Sequence, residues 1–137
     1  MRSQAPHLRH KGPLPTHLQR NSVGGANWGL LANLCLVAIY QYWDDLHRQA
    51  IANALGVPKD DIRLDAMGEL RHIRRSIVHA GGKAEPEVAR NRLLPRFKRG
   101  QRIVIDAQAF VEIVFTLKRS LQEYADELPR LSSRRDR

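Results

Sequence analysis

The longest regular pattern in the chain runs over residues 26–55. Its apolar side chains recur with the three- and four-residue spacing of one face of an α-helix: Leu31, Leu34, Ala38 and Tyr42, with Leu30, Leu36 and Val37 widening that face. Gly56 favours a helix end there, and Pro58 prevents simple continuation. Because the first half is apolar on nearly every side, we expect this long helix to be buried on more than one side.

Two further segments carry the same periodicity. The segment 65–80 places one group of apolar residues on a single stripe: Ala66, Leu70, Ile73 and Ile77. The segment 107–127 does the same with a second group: Phe110, Val114, Leu117, Leu121 and Tyr124, with Ile113 alongside. Each stripe predicts an amphipathic helix that packs its apolar face against the long helix.

Capping and stop signals surround these two helices. Asp61 or Asp65 is expected to cap the first, and Asp106 the second, because their side chains can accept hydrogen bonds from unpaired backbone N–H groups. The pair Gly81 and Gly82 ends the first helix, and Pro129 ends the second.

The connector between these helices predicts a short helix over 85–97 and an extended piece over 100–106 that has no partner strand. The sequence therefore predicts an all-α protein, a small up-and-down helical bundle. Proline and glycine set both ends of the chain apart from it. We expect a flexible basic N-terminal arm at 1–25, the helical domain at 26–128 and a basic tail at 129–137.

Cysteine usage and hydropathy bear on the compartment. The single cysteine, Cys35, excludes a disulfide framework within the chain and fits a reducing cytosol; we expect it in the core. The apolar run over 28–40 is too short to span a bilayer and is soon followed by Asp44 and Asp45. It also lacks the features of a signal peptide. We therefore expect a cytoplasmic protein that does not contact a membrane.

Positive charge is concentrated in the middle of the chain. The chain carries a formal net charge of +9, and residues 71–102 alone hold ten lysines and arginines against Glu85 and Glu87. Such a block favours a polyanionic partner, with RNA or DNA as the default, although solubility is the alternative reading. The residues predicted to contact RNA are Arg71, Arg75, Lys83, Arg96, Lys98 and Arg99.

The stretch "LRHIRRSIVHAGG", residues 70–82, holds the candidate catalytic groups. On a helical wheel Arg74 lies about 100° from Ile73, within the apolar arc, whereas His79 lies on the polar side. A core-facing arginine needs a partner, which Asp44, Asp45 or an acid of a second subunit could supply, unless it reaches out to solvent. His79 could act in acid–base chemistry or simply hydrogen-bond the last carbonyls of the helix.

One pair is expected to support this site. Asp44 and Arg48 lie one helical turn apart, at the spacing of an ion pair. Asp44 and Asp45 are adjacent and diverge on a helix, so they do not form a catalytic pair of carboxylates. The sequence shows neither a histidine–cysteine cluster for zinc nor a glycine-rich phosphate loop, so we expect no metal and no cofactor.

The stretch "LRHIRRSIVHAGG", with "YWDDLHRQAIANALG" before it and "LLPRFKRGQRIVID" after it, resembles the HEPN superfamily of small all-α prokaryotic proteins. The hallmark there is an arginine, four to six residues and then a histidine, which Arg74, "RSIV" and His79 match. The resemblance covers about residues 28–127 and is greatest to the toxin- and defence-linked branch. It implies a homodimer that cleaves RNA without metal, with Arg74 and His79 as catalytic residues and a cognate antitoxin protein as a further partner.

This chain departs from the family at one position. The residue after the motif arginine is most often asparagine in that branch, and here it is Arg75. Arg75 can contact phosphate, but it cannot accept a hydrogen bond from the histidine, and its charge opposes protonation of a nearby imidazole. Two alternatives therefore stay open: a non-catalytic RNA-binding protein of the same fold, and a structural partner in an antitoxin or defence complex.

Overall fold

The computed structural model describes residues 12–133, with side chains described up to residue 130. Within that part of the chain the regular structure is helical and contains no strand, which confirms the all-α prediction. The α-helices are α1 (Leu14–Asn21), α2 (Ala26–Tyr42), α3 (Arg48–Leu55), α4 (Asp65–His79) and α5 (Ala107–Ser133). The shorter elements are a π-turn (Trp43–His47) and two 3₁₀ turns (Lys59–Asp61 and Val88–Arg90).

The long helix predicted over 26–55 is present at both ends but contains a π-turn that the spacing did not indicate. The turn Trp43–His47 joins α2 to α3 without a break. Gly56 follows with φ +61°, the left-handed conformation expected at a helix end. A π-turn adds one residue to a turn, so it rotates the side chains beyond it by roughly 100° about the helix axis.

The face that α2 buries differs from the predicted stripe. Its buried residues are Ala32 and Leu36, followed by Trp43, whereas Leu31, Leu34 and Tyr42 are 60%, 56% and 62% exposed. Cys35 is exposed too, so its placement in the core was wrong. The physical reason is that α2 is apolar on nearly every side, so spacing alone cannot select which stripe faces the core.

Helices α4 and α5 pack against α2 and against each other through the predicted stripes. Among the most deeply buried side chains are Leu36 of α2, Leu70 and Ile73 of α4, and Ile113 of α5. These residues form one core cluster, to which the connector before α5 adds Ile105. Burying four to five such side chains is worth roughly 1.5–3 kcal/mol each, which makes this cluster the main stabilising feature of the bundle.

The predicted caps are partly confirmed. The Asp106 side chain accepts a hydrogen bond from the N–H of Ala109 at 2.8 Å, as expected of an N-cap residue. At α4 the capping position is instead Leu64, and Asp65 is the first helical residue, so the carboxylate cap there was wrong. Helix α5 continues through Pro129 to Ser133, so the predicted end at Pro129 was wrong. The proline lies in the last turn and a half of the helix, where few later residues depend on the turn that it disrupts.

The connector from α4 to α5 folds back on itself. Gly81 and Gly82 have φ values of +61° and +77°, which only glycine adopts readily, and they reverse the chain after α4. The N–H of Ile103 then donates to the carbonyl of Gly82 at 2.8 Å. The short helix predicted over 85–97 is only the single 3₁₀ turn Val88–Arg90.

The N-terminal arm contains a helix that the sequence did not indicate. Helix α1 begins one residue after Pro13, packs on α2 and has no buried residue. Residues 1–11 of the predicted arm and 134–137 of the predicted tail lie outside the described residues.

The helical stretch Leu14–Leu55 is long and apolar enough to cross a membrane, judged by length and composition. Buried core helices of soluble proteins and signal sequences share those properties. Only 11% of its most apolar segment is buried within this chain. The expectations of a cytoplasmic protein and of no membrane contact stay predictions.

Candidate functional site

Arg74 lies half-buried on the side of α4 that faces α2. Its guanidinium carbon is 5.9 Å from the centre of the Tyr40 ring, within the range of a cation–π contact. Its Nη2 donates to Oε1 of Gln41 at 3.5 Å, and its Nε is buried without a hydrogen-bond partner in the described residues. At 3.5 Å the Gln41 contact is long, so the guanidinium keeps most of its capacity to bind an anion.

Neither aspartate proposed as a partner of Arg74 within the chain pairs with it. The Oδ2 of Asp45 accepts a hydrogen bond from Nε2 of Gln41, which turns Oε1 of that glutamine toward Arg74. Asp44 is engaged by Arg48, with Nη1 and Oδ1 2.9 Å apart, and by Lys59, whose Nζ is 3.1 Å from Oδ2. Arg74 therefore carries a positive charge that no acid of the described chain neutralises.

The predicted Asp44–Arg48 ion pair is confirmed and belongs to a wider network. The Nη2 of Arg48 lies 3.3 Å from Oδ1 of Asp60, and its Nε donates to the carbonyl of Ile62 at 2.8 Å. Burial by itself would raise the pKa of Asp44, but hydrogen bonds and charge from Arg48 and Lys59 outweigh it and hold that pKa below its ordinary value. The network fixes the chain after α3 against the π-turn.

A polar pocket of about 350 Å³ opens beside Arg74. Its lining side chains are Tyr40, Gln41, Asp44, Arg48, Asp60, Arg71 and Arg74. Two of its three arginines, Arg71 and Arg74, form no ion pair in the described chain, whereas Asp44 and Asp60 are both paired with Arg48. The pocket is therefore suited to an anion such as a phosphate group.

His79 lies apart from this pocket. It is the last residue of α4 and is exposed, and the helix stays regular up to it. Five residues of regular helix separate two positions by about 140° in direction and about 7.5 Å in height. Arg74 and His79 therefore point to different faces, and the unwinding that could have brought them together begins only after His79.

Arg75 is held away from the Arg74 pocket by the connector. Its Nε lies 3.1 Å from Oε2 of Glu85, and the N–H of Glu85 donates to the Oγ of buried Ser76 at 3.0 Å. The pair is partly exposed, so it contributes little to stability. Its consequence is local, since Glu85 balances the charge that Arg75 adds near the end of α4.

The remaining residues predicted to contact RNA fall into two groups. Arg71 lines the Arg74 pocket. The others are exposed on the connector without an ion pair in the described residues: Lys83, Arg96, Lys98 and Arg99. Three further arginines, Arg63, Arg90 and Arg92, line a neighbouring cleft and were not singled out from the sequence. They lie in or beside single 3₁₀ turns and loops, which are too short for a periodic pattern to show which side chains face one another.

No group of three histidine, cysteine, aspartate or glutamate side chains in residues 12–130 is arranged to hold a metal ion. Comparison with known protein families, with characterised proteins and with solved structures finds no match to this chain. The interpretation of the site therefore depends on the geometry of its own residues.

Proposed function

We propose that this protein is a metal-independent endoribonuclease of the HEPN type, acting in the cytoplasm in a toxin–antitoxin or anti-phage defence role. The observation that carries the proposal is Arg74, half-buried beside a polar pocket with its Nε unpartnered and no acid paired with it. A guanidinium in that setting gains most from an external anion, because its own protein supplies no counter-charge. The exposed His79 supplies an imidazole on the same helix.

The RNA is the only substrate that this reaction requires, because the attacking group and the leaving group both belong to the RNA. The 2′-oxygen forms a bond to the adjacent phosphorus, and the bond from phosphorus to the 5′-oxygen breaks. The products are a cyclic phosphate and a free 5′-hydroxyl. His79 takes the 2′-hydroxyl proton or gives a proton to the leaving oxygen, and Arg74 binds the phosphate oxygens on which charge builds.

A second copy of the chain is part of this proposal. Within one chain Arg74 and His79 point to different faces, so a complete site requires the histidine of one copy near the arginine of another. The outward face of α2 supports such pairing, since Leu30, Leu31 and Leu34 are all more than half exposed. An apolar groove of about 740 Å³ between α2 and α5 lies near that face.

The test is RNA cleavage in the presence of EDTA. Wild-type protein, His79→Ala and Arg74→Gln are compared with His17→Ala, a matched change on α1 that lies outside the proposed site. We expect cleavage by wild type and His17→Ala, with a loss of at least about 100-fold in His79→Ala. Intact RNA after incubation with the wild-type protein would contradict the proposal of an enzyme. Cleavage by His79→Ala at the wild-type rate would contradict the role given to His79.

A second candidate, non-catalytic RNA binding, is favoured by the divergence of Arg74 and His79 on α4 and by the arginine at position 75. It predicts RNA affinity that falls steeply with salt, without cleavage products. A purely structural partner would instead form a stable complex with another protein and show neither property.

Light scattering of the purified protein at several concentrations tests the dimer independently of RNA.

A further inference from the structure

A second and larger cleft adjoins the Arg74 pocket. It has a volume of about 720 Å³, within the usual size of small-molecule sites. Helix α4 forms one wall, and residues 60–64 and 90–93 contribute to the rest of the lining. The cleft and the pocket share Tyr40, Arg48, Asp60 and Arg71, so the two cavities are continuous along α4.

Arginines dominate the polar part of this cleft. Five line it: Arg48, Arg63, Arg71, Arg90 and Arg92. Arg48 is occupied by its carboxylate partners, and Nε of Arg63 donates to the carbonyl of Asp60 at 3.0 Å. The side chains of Arg71, Arg90 and Arg92 form no ion pair or hydrogen bond in the described part of the chain. Three guanidinium groups are therefore available to a ligand.

Two of the three acidic residues of the cleft, Asp60 and Glu69, already have partners. The Glu69 carboxylate accepts the backbone N–H groups of Arg92, Leu93 and Leu94 at 2.6, 2.9 and 2.8 Å. The Asp60 carboxylate is paired with Arg48. Asp65 lies in the first turn of α4, where the partial positive charge of the helix end favours a carboxylate.

The segment 88–94, which carries Arg90 and Arg92, is anchored by its buried side chains. Val88, Asn91 and Leu94 are buried at 0%, 1% and 4% exposure, and Nδ2 of Asn91 donates to the carbonyl of Pro95 at 3.2 Å. Arg90 and Arg92 alternate with these buried residues and are exposed. Because the backbone is already held in place, binding a ligand there requires ordering of side chains only.

The lining of the cleft also includes apolar side chains. Tyr40, Met67 and Leu93 contribute to its lining, with Ile62 and Leu64 beside them. An inorganic anion would use only the arginines, and an acidic peptide would place more carboxylates beside an apolar wall. A nucleotide matches both parts, since its phosphate suits the guanidinium groups and its base can pack on the tyrosine and the aliphatic side chains.

We infer that this cleft is a nucleotide-binding site, with the phosphate bound by Arg71, Arg90 and Arg92 and the base against Tyr40 and Leu93. The nucleotide is either a free one or one unit of a single strand that continues toward Arg74. The inference goes beyond RNA cleavage, because it requires no chemistry at His79.

The test uses a short single-stranded oligodeoxynucleotide, which lacks the 2′-hydroxyl and cannot be cleaved by the proposed mechanism. Binding of the fluorescently labelled strand is measured by anisotropy for wild type, for Arg90→Gln/Arg92→Gln and for Arg20→Gln/Lys118→Gln. The last variant removes two exposed charges outside the cleft. Adenosine 5′-monophosphate, inorganic phosphate and an oligoglutamate serve as competitors, and thermal melting verifies that each variant is folded.

We expect about a tenfold loss of affinity in Arg90→Gln/Arg92→Gln and a loss of less than about twofold in the control variant. The slope of log affinity against log salt concentration should become less steep by about 1.4 in the cleft variant only. If adenosine 5′-monophosphate displaces the labelled strand, a free nucleotide is a ligand of the cleft. If it does not, although the strand binds tightly, the ligand is the single strand. Equal losses in both double variants would overturn the inference, as would oligoglutamate or phosphate competing as well as the mononucleotide. Because the probe is DNA, a failed RNA cleavage assay leaves this result unaffected.

Discussion

Replacing Glu69 by glutamine isolates the contact that shapes the arginine cleft. In the wild type Oε1 accepts one backbone N–H, from Arg92, and Oε2 accepts two, from Leu93 and Leu94. Glutamine offers one acceptor oxygen, and its amide N–H₂ group would face a backbone donor. At least one of the three hydrogen bonds is therefore lost, and the others lose the help of a full negative charge.

The size of the effect follows from exposure. A hydrogen bond to a charged group contributes about 1.5–3 kcal/mol. Arg92 and Leu93 are exposed, so water can replace part of what they lose, whereas Leu94 is buried. We expect Glu69→Gln to lower the free energy of unfolding by roughly 2 kcal/mol, measured by urea titration. For a chain of this size that corresponds to a decrease in Tm of about 8 °C.

Nucleotide affinity provides a second measurement, because the direction in which Glu69→Gln changes it distinguishes two roles of Glu69. If the carboxylate acted only through its charge, removing it would strengthen phosphate binding in the cleft. Because it holds the segment that carries Arg92, we expect affinity to fall instead. Asp65→Asn removes a charge from the same cleft without breaking a described hydrogen bond, so its affinity should rise or stay constant. An unchanged Tm together with tighter binding in Glu69→Gln would refute this reasoning.

Four further substitutions test the surrounding structure. Asp44→Asn should lower stability by about 1 kcal/mol near neutral pH. Because the pKa of Asp44 is held below its ordinary value, the difference from wild type should shrink as pH falls below the ordinary range of a carboxyl group and Asp44 becomes protonated in the folded protein. An equal difference at every pH in urea titrations would contradict this. Ser76→Ala should cost about 1–2 kcal/mol, since the N–H of Glu85 loses its acceptor, whereas an unchanged denaturation midpoint would show that water replaces it. Gly82→Ala should lower Tm through its φ of +77°, whereas Gly68→Ala inside α4 should raise it, and two shifts of the same sign would be inconsistent with the backbone argument.

The helices and their ends could be predicted where the periodic pattern and the stop signals agreed. In α4 the stripe that contains Leu70 and Ile73 is buried, and Gly81 and Gly82 adopt the left-handed conformation expected of them. Both features depend on interactions within a few residues. Local sequence therefore specified this helix almost completely.

The orientation of α2 could not be predicted in the same way. A helix that is apolar on nearly all sides offers several stripes of equal quality, and the choice between Leu34 and Leu36 depends on α4 and α5. The π-turn at Trp43–His47 then changes which residues follow the buried face. A hydrophobic pattern predicts that such a helix exists, whereas tertiary packing determines how the helix is rotated about its own axis.

The arginine cleft could not be predicted from sequence because its parts are far apart along the chain. Arg63, Arg71 and Arg92 reach one cavity only after Glu69 has bound the segment that follows Asn91. Charge counting located the basic block over 71–102 but could not show that Arg63, outside the block, joins it.

Arg74 and Arg75 show how one helical step separates two neighbouring charges of the same kind. A rotation of about 100° directs Arg74 toward Tyr40 and the polar pocket, and directs Arg75 toward Glu85 on the connector. The reversal at Gly81 and Gly82 is what brings Glu85 back to this helix end, where Ser76 binds its backbone. The glycine pair therefore does more than end α4, since it positions the acid that neutralises Arg75, whereas the neighbouring Arg74 stays open to a ligand.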